Sequence, residues 1–225
     1  MKTISVAIDG PSGAGKSTLA RQAAARLGYL YVDTGAIYRT VALSAVKRGI
    51  DPADTSALIS MLDGLDIRLV YDKSDGIQHM YLNGEDVSEE IRVHAISAHA
   101  STVSAIPEVR AFLLDLQRDL ARKNNVVMDG RDIGTVVLPD ADVKIFLTAS
   151  AQARAQRRHI ELVQRGQDAS FETILHDIVA RDEQDMNRPI APLCQAENAV
   201  LIDTTKLDLE QSLQAILDVI RERVG

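Results

Sequence analysis

The sequence predicts an α/β fold: a doubly wound, five-stranded, mostly parallel sheet with a small antiparallel β insert. Three observations carry this. Five short apolar runs each end at a polar residue. Helical patterns lie between them, which is the alternation that builds a parallel sheet. Residues 66–87 break the rhythm with strict alternation and turn signals, which reads as a separate small sheet.

The first run is Ile4-Ser5-Val6-Ala7-Ile8, ahead of Asp9. A helix follows from Ser17 to Leu27, with Leu19, Ala20, Ala23, Ala24 and Leu27 on one face. The remaining strand candidates are Tyr29-Leu30-Tyr31-Val32, Asn125-Val126-Val127-Met128, Val143-Lys144-Ile145-Phe146-Leu147 and Ala199-Val200-Leu201-Ile202. They end at Asp33, Asp129, Thr148 and Asp203. Helices are expected near 35–48, 55–64, 150–164 and 170–186, and most clearly over 107–123 and 208–223. In the first of these two, Pro107 suits the opening turn, and Val109, Phe112, Leu113, Leu116 and Leu120 form a core stripe. In the second, Leu209, Leu213, Ile216, Leu217 and Ile220 do the same. In the insert, Ile67–Tyr71 and Gln78–Leu82 alternate, with turns at Asp75-Gly76 and Asn83-Gly84.

The 225 residues, 46% of them hydrophobic, suffice for one sizeable core. A net charge of −7 argues against a nucleic-acid polymer as partner, because such proteins carry a basic stripe. It leaves room for a mononucleotide, which needs only a local basic pocket. The single Cys194 excludes an internal disulfide and fits a reducing compartment. No apolar stretch approaches the length of a membrane span, and the run at 4–8 is too short for a signal peptide, so the expected location is the cytoplasm.

The strongest motif is Gly10-Pro11-Ser12-Gly13-Ala14-Gly15-Lys16-Ser17, continued by Thr18. This is a complete GxxxxGKS phosphate-binding loop between a strand and a helix, the context it requires. The glycines let backbone N–H groups curl around phosphate oxygens, and the helix N-terminus adds partial positive charge. Lys16 is expected at the β- and γ-phosphates of a bound nucleotide, with the Ser17 hydroxyl on Mg²⁺.

Parallel sheets bind ligands beyond the carboxyl ends of their strands, so residues there are candidates. Asp129 ends an apolar strand, where a carboxylate would help place Mg²⁺. Arg131 and Asp132 follow it, toward the same crevice. Asp33-Thr34-Gly35-Ala36-Ile37-Tyr38-Arg39 has two readings: an acceptor site in which Arg39 binds a second anion, or an N-cap turn with a solvent-exposed arginine. Arginines cluster in the last third: Arg154, Arg157 and Arg158, then Arg165, then Arg181 and Arg188. Arg181, Asp185 and Arg188 are spaced to share a helix face. Phosphoryl transfer between two nucleotides gathers negative charge, and guanidinium forks bind phosphate bidentately while staying charged. The five histidines have no metal-ligand spacing, and no nucleophile elbow occurs.

GPSGAGKS, DTGAIYR, DGRDIG and RDEQDMNR together resemble the bacterial cytidylate kinases, nucleoside monophosphate kinases of the P-loop class. The resemblance runs from Ile4 to about Asp203. It implies one kinase domain over 1–225, with a monophosphate-binding region at about 33–105 and a short lid at about 152–166. It implies ATP and Mg²⁺ as donor and cofactor, CMP and dCMP as acceptors, and a monomer. By resemblance, Arg157 and Arg158 fall in the lid; Arg39, Arg131 and Arg188 bind the acceptor phosphate. Ser101, Arg110 and Asp132 read cytosine, Arg181 and Asp185 hold the ribose, and Thr34 lies in the acceptor motif. The chain has Ser17 where some family members have Gly, and Thr34 where many have Ser. Competing readings are a kinase for UMP, AMP, dTMP or a sugar, and a nucleotide-binding switch. The switch reading lacks an NKxD guanine-reading motif.

Overall fold

The computed structural model describes residues 2–72, 77–164, 166 and 170–225. In chain order its strands and helices are β1 (Ser5–Asp9), α1 (Lys16–Leu27), β2 (Leu30–Asp33), α2 (Thr34–Lys47), α3 (Thr55–Leu62), β3 (Ile67–Asp72), β4 (Ile77–Leu82), β5 (Glu85–Asp86), α4 (His94–Ser104), α5 (Pro107–Lys123), β6 (Val126–Gly130), β7 (Val143–Thr148), α6 (Ala151–Gln164), α7 (Phe171–Asn187), β8 (Val200–Asp203) and α8 (Leu209–Val224). A single-turn π-helix, Ile133–Val137, sits between β6 and β7. The chain forms two compact units, residues 1–31 with 124–225, and residues 32–123.

The first unit is built on the predicted sheet. Among the described residues it has five strands in the order β2-β6-β1-β7-β8. The pairs β1–β6, β1–β7 and β7–β8 are parallel. This puts β1 at the centre and the loop after it at a point where strand order reverses, the usual ligand-binding position of such sheets. The strands are short and apolar because both faces are buried: on one, Val6, Ile8, Val127, Val143, Ile145 and Leu147 pack with Leu19, Ala20 and Ala23 of α1 and Leu213, Ile216, Leu217 and Ile220 of α8, and on the other Ala7, Val126 and Met128 are buried as well. The later strands each run about one residue further than their apolar cores, so Asp129 and Asp203 lie inside β6 and β8. On α8, Leu209 is exposed because it is the first residue of the helix, just after the Asp208–Gln211 capping box.

The second unit holds the predicted antiparallel insert. Strands β3, β4 and β5 pair in sequence order, with Ile67 opposite Leu82 and Leu82 opposite Glu85. Asn83 and Gly84 make the tight turn, both at positive φ (50° and 87°), as a primed hairpin turn requires. The other expected turn, Asp75-Gly76, lies outside the described residues, as does Arg165. Two differences from expectation stand out. Helix α4 was not anticipated at all. On α5 the buried line is Val109, Leu113, Gln117 and Ala121, so Phe112 is exposed and Leu116 and Leu120 are only half-buried. A polar residue completes that line: the Gln117 amide nitrogen donates to the Leu113 carbonyl at 3.2 Å, while its Oε1 is buried without a partner among the described residues.

Candidate active site

The loop between β1 and α1 takes its shape from its glycines. Gly10 has φ +151°, and a Cβ there would lie 1.9 Å from the Leu147 carbonyl oxygen of β7. Strand backbone cannot yield, so only glycine fits. Gly15, at φ +88°, turns the chain into α1. Lys16 opens that helix and is buried, its Nζ donating to the Pro11 carbonyl at 2.7 Å across the loop. Burial, reinforced by the charge of Arg131, pushes the Lys16 ammonium well below its ordinary value; Asp129, Asp9 and Asp185 oppose that shift. Ser17 Oγ donates to Asp129 Oδ2 at 2.9 Å, and the Tyr31 hydroxyl donates to Asp129 Oδ1 at 2.9 Å. Both carboxylate oxygens of Asp129 therefore have a fixed direction. The sequence marks Tyr31 only as a strand residue.

Arg154 has a different place from the one its sequence cluster suggests. It is 5% exposed and lies behind the phosphate loop. It donates to the Ser12 carbonyl at 2.8 Å and to the Ala149 carbonyl at 2.9 Å, and forms a two-pronged ion pair with Asp182 of α7. Its companions on α6 diverge. Arg157 donates to the Thr204 carbonyl at 2.6 Å and to Thr204 Oγ1 at 3.2 Å. Arg158 makes an i,i+3 pair with Glu161 on the helix surface.

Beyond β6, Arg131 Nε donates to Asp185 Oδ2 at 2.7 Å, and Asp185 is buried. Arg188 Nη2 lies 3.3 Å from Asp132 Oδ1, and its Nε donates to the Ala191 carbonyl at 2.6 Å. Arg188 is the extended residue that ends α7, so it does not continue the helix face of Arg181 and Asp185 as the spacing predicted. Arg181 is half-buried on α7. The first unit thus brings together Lys16, Ser17, Asp129, Arg131 and Asp185, and separately Asp132 with Arg188. Arg158 stands apart on α6.

Sequence reasoning also passed over Asp9, the polar residue ending β1. It is 3% exposed, and its two oxygens accept from the backbone N–H groups of Ile133 and Gly134, each at 2.7 Å. Burial raises its carboxyl to about 6, against the lowering effect of those two N–H donors. The rule that strand-end residues line the site could have found it.

In the second unit, Asp33 caps α2 by accepting from the Ala36 N–H at 2.9 Å. The same carboxylate holds Arg39 at 2.9 Å, so the N-cap turn is present but its arginine folds back on the cap and is half-buried, not solvent-exposed. Its Nε is buried and has no hydrogen-bond partner among the described residues. Gly35 makes room for it: a Cβ there would lie 3.1 Å from Arg39 Nη1. Thr34 is buried beside the cap. Arg110 of α5 is buried, its guanidinium carbon 5.6 Å from the centre of the Tyr38 ring, and donates to the Ser104 carbonyl at 3.1 Å. Ser101, half-buried, lies one turn before Ser104 on α4, and its carbonyl accepts from Ser104 Oγ at 3.0 Å.

A site with a complete phosphate loop, a hydroxyl–carboxylate pair and a bank of oriented arginines can bind nucleotide phosphates and neutralise charge as one is transferred. No helix among the described residues is long and apolar enough to cross a membrane. Among solved structures, that of an uncharacterized protein from Eubacterium ventriosum superposes with a TM-score of 0.54 at 13% identity, over 98% of this chain and 100% of that one, a likeness of fold alone. Among curated proteins, the cytidylate kinase of Caldicellulosiruptor bescii is 49% identical over 219 residues, 97% of this chain and 96% of that one. The cytidylate kinase of Halalkalibacterium halodurans is 45% identical over 224 residues, the full length of both. The family model for cytidylate kinase matches residues 6–222, and the chain belongs to the cytidylate kinase family.

Proposed function

We infer that this chain transfers the γ-phosphoryl group of ATP to CMP and dCMP, giving ADP and CDP or dCDP. The observation that carries the reading is the junction of Lys16, the Ser17–Asp129 pair and the Arg131–Asp185 pair on one unit, in a chain of this family. A monophosphate oxygen is largely ionised at neutral pH, so the acceptor needs no general base. Its oxygen bonds to the γ-phosphorus as the bond from phosphorus to the bridging oxygen of ADP breaks. Catalysis is then alignment plus charge stabilisation. The loop N–H groups from Gly10 to Thr18 cradle the phosphates of ATP, and Lys16 stabilises the charge on the transferred group. Mg²⁺ suits the oxygen pair of Ser17 and Asp129, whose hard donors stand 2.9 Å apart; these residues would hold it, and when bound it neutralises β- and γ-phosphate charge.

The remaining assignments are part of the same proposal. Arg131, Arg188 and Arg39 bind the acceptor phosphate as guanidinium forks. Arg181 and Asp185 hold the ribose, and Thr34 contributes to the acceptor motif. Asp132 accepts from the cytosine amino group and opposes the uracil carbonyl, with Ser101 and Arg110 completing base recognition. Arg157 and Arg158 close over ATP and exclude water.

The test is ATP consumption with CMP, dCMP, UMP, AMP and dTMP in turn, on the wild type and on Asp132→Asn. CMP and dCMP should dominate in the wild type. The Asn amide can donate to a uracil carbonyl, so kcat/KM for CMP relative to UMP should fall by roughly 10-fold or more, the cost of mispairing a buried polar group. Preference for another monophosphate, or ATP hydrolysis with no acceptor stimulation, would overturn the reading.

A further inference from the structure

We propose that Asp9, at the end of β1, is a positioning residue that sets the acceptor-binding segment Arg131-Asp132 through a two-oxygen grip on the backbone behind it. The grip consists of two bonds of 2.7 Å, from Ile133 N–H to one Asp9 oxygen and from Gly134 N–H to the other. These are the first two N–H groups of the π-helix Ile133–Val137, which the turn itself leaves without intrahelical acceptors. A carboxylate can take both at once. An amide of the same shape has one acceptor oxygen and turns an N–H₂ toward the second donor.

The partner side is cut to fit. A Cβ on Gly134 would stand 3.3 Å from Asp9 Oδ2 and 3.2 Å from Lys144 Cδ, so any side chain there pushes on the same grip. Upstream, Asp9 and Gly130 are register partners across β1 and β6. The chain is therefore held at Gly130 by the sheet and at Ile133-Gly134 by Asp9. Between these two fixed points lie only Arg131 and Asp132, the first pinned to Asp185 and the second in reach of Arg188. The Asp9 carboxylate is nearly fully buried, and burial raises its carboxyl toward neutrality, so the grip is kept against a desolvation cost. A residue serving the sheet alone would be cheaper as Asn or Ser.

The inference rests on the CMP-kinase reading, and its test separates the two. KM and kcat are measured with CMP and with ATP varied in turn, on the wild type, Asp9→Asn and Gly134→Ala, with thermal unfolding recorded for each. Wild-type turnover of CMP checks the reading itself. With that in hand, both variants should raise KM for CMP by on the order of 10-fold, the loss of one hydrogen bond to a charged acceptor, while KM for ATP stays within about twofold. Gly134→Ala reaches the same grip from the other side and decides the matter if Asp9→Asn does not fold. KM values unchanged for both substrates, with only a lower melting temperature, would make Asp9 a purely structural residue and overturn the inference. A rise confined to ATP, or equal for both substrates, would also overturn it.

Discussion

The buried pair Arg154–Asp182 offers a sharp test of how the phosphate loop is supported. The side chains are 5% and 12% exposed, so neither charge is well solvated. Removing one partner strands the other, which costs about 3–5 kcal/mol in buried pairs. Asp182→Leu should fall at the low end, about 3 kcal/mol, because Arg154 keeps its bonds to the Ser12 and Ala149 carbonyls. Arg154→Met should cost more, since it leaves a buried carboxylate and two carbonyls without their donor. The double variant removes both charges. Its remaining cost is the two carbonyls, at about 1–3 kcal/mol each, still less than the sum of the single losses because neither charge is stranded. Urea unfolding at pH 7.5 reads these values through the midpoint at constant slope. A second readout separates support of the loop from bulk stability: KM for ATP should rise in Arg154→Met and in the double variant, which lose the donor to Ser12, and less in Asp182→Leu. Single losses that add to the double within about 0.5 kcal/mol would show that the two side chains do not act as a pair, and refute the reasoning.

Lys16→Ala should lower kcat by on the order of 10³-fold with an unchanged far-UV spectrum, because it removes a charge that stabilises the transferring group; single-turnover kinetics check it. Stability should depend on pH through Asp9. Its carboxyl titrates at 3.8 ordinarily and at about 6 in the fold, so the folded state binds the extra proton and the wild type gains stability as pH falls through 6 toward 4. The full difference is worth about 3 kcal/mol, of which about 2 should appear between pH 7.5 and 4.5. The measurement is the difference in unfolding free energy between wild type and Asp9→Asn over that range, in which carboxylates remote from Asp9 cancel.

What the sequence disclosed and what it hid follow from the range of the forces involved. The phosphate loop was legible because its geometry is local: Gly10, Gly15 and Lys16 act within a few residues of one another. The sheet was legible because strands buried on both faces must be apolar. Helix α4 was not, because His94–Ser104 is rich in Ser, His and Ala, begins without a side-chain cap and buries only the short line Ile96, Ala100 and Val103. On α5, the stripe drawn by apolarity missed the true buried line because Gln117 turns its amide N–H onto the Leu113 carbonyl of its own helix and so enters the interior, its Oε1 left without a partner among the described residues. Arg154 looked like its neighbours Arg157 and Arg158; what distinguishes it is Asp182, 28 residues away. Asp9 was read as the polar stop of an apolar run, since its partners are backbone groups more than a hundred residues on, which carry no side-chain signal. Arg188 counted as helical by spacing, yet the helix ends just before it.

Helix α7 ties these long-range elements into one device. Asp182 and Asp185 stand three residues apart, hence on one face of the helix. The first grips Arg154, which holds the Ser12 carbonyl of the phosphate loop. The second grips Arg131, which follows β6 and which we assign to the acceptor phosphate. Both grips are ion pairs to guanidinium forks, whose planar geometry fixes direction as well as distance. In-line transfer requires donor and acceptor phosphates to be registered within a fraction of an ångström, and two loops anchored independently would drift relative to each other. Anchoring both to adjacent turns of one rigid helix removes that freedom. It also explains why a reaction needing no general base has the carboxylates of Asp182 and Asp185 buried on one helix: each aims an arginine, and a displaced α7 would misalign both together.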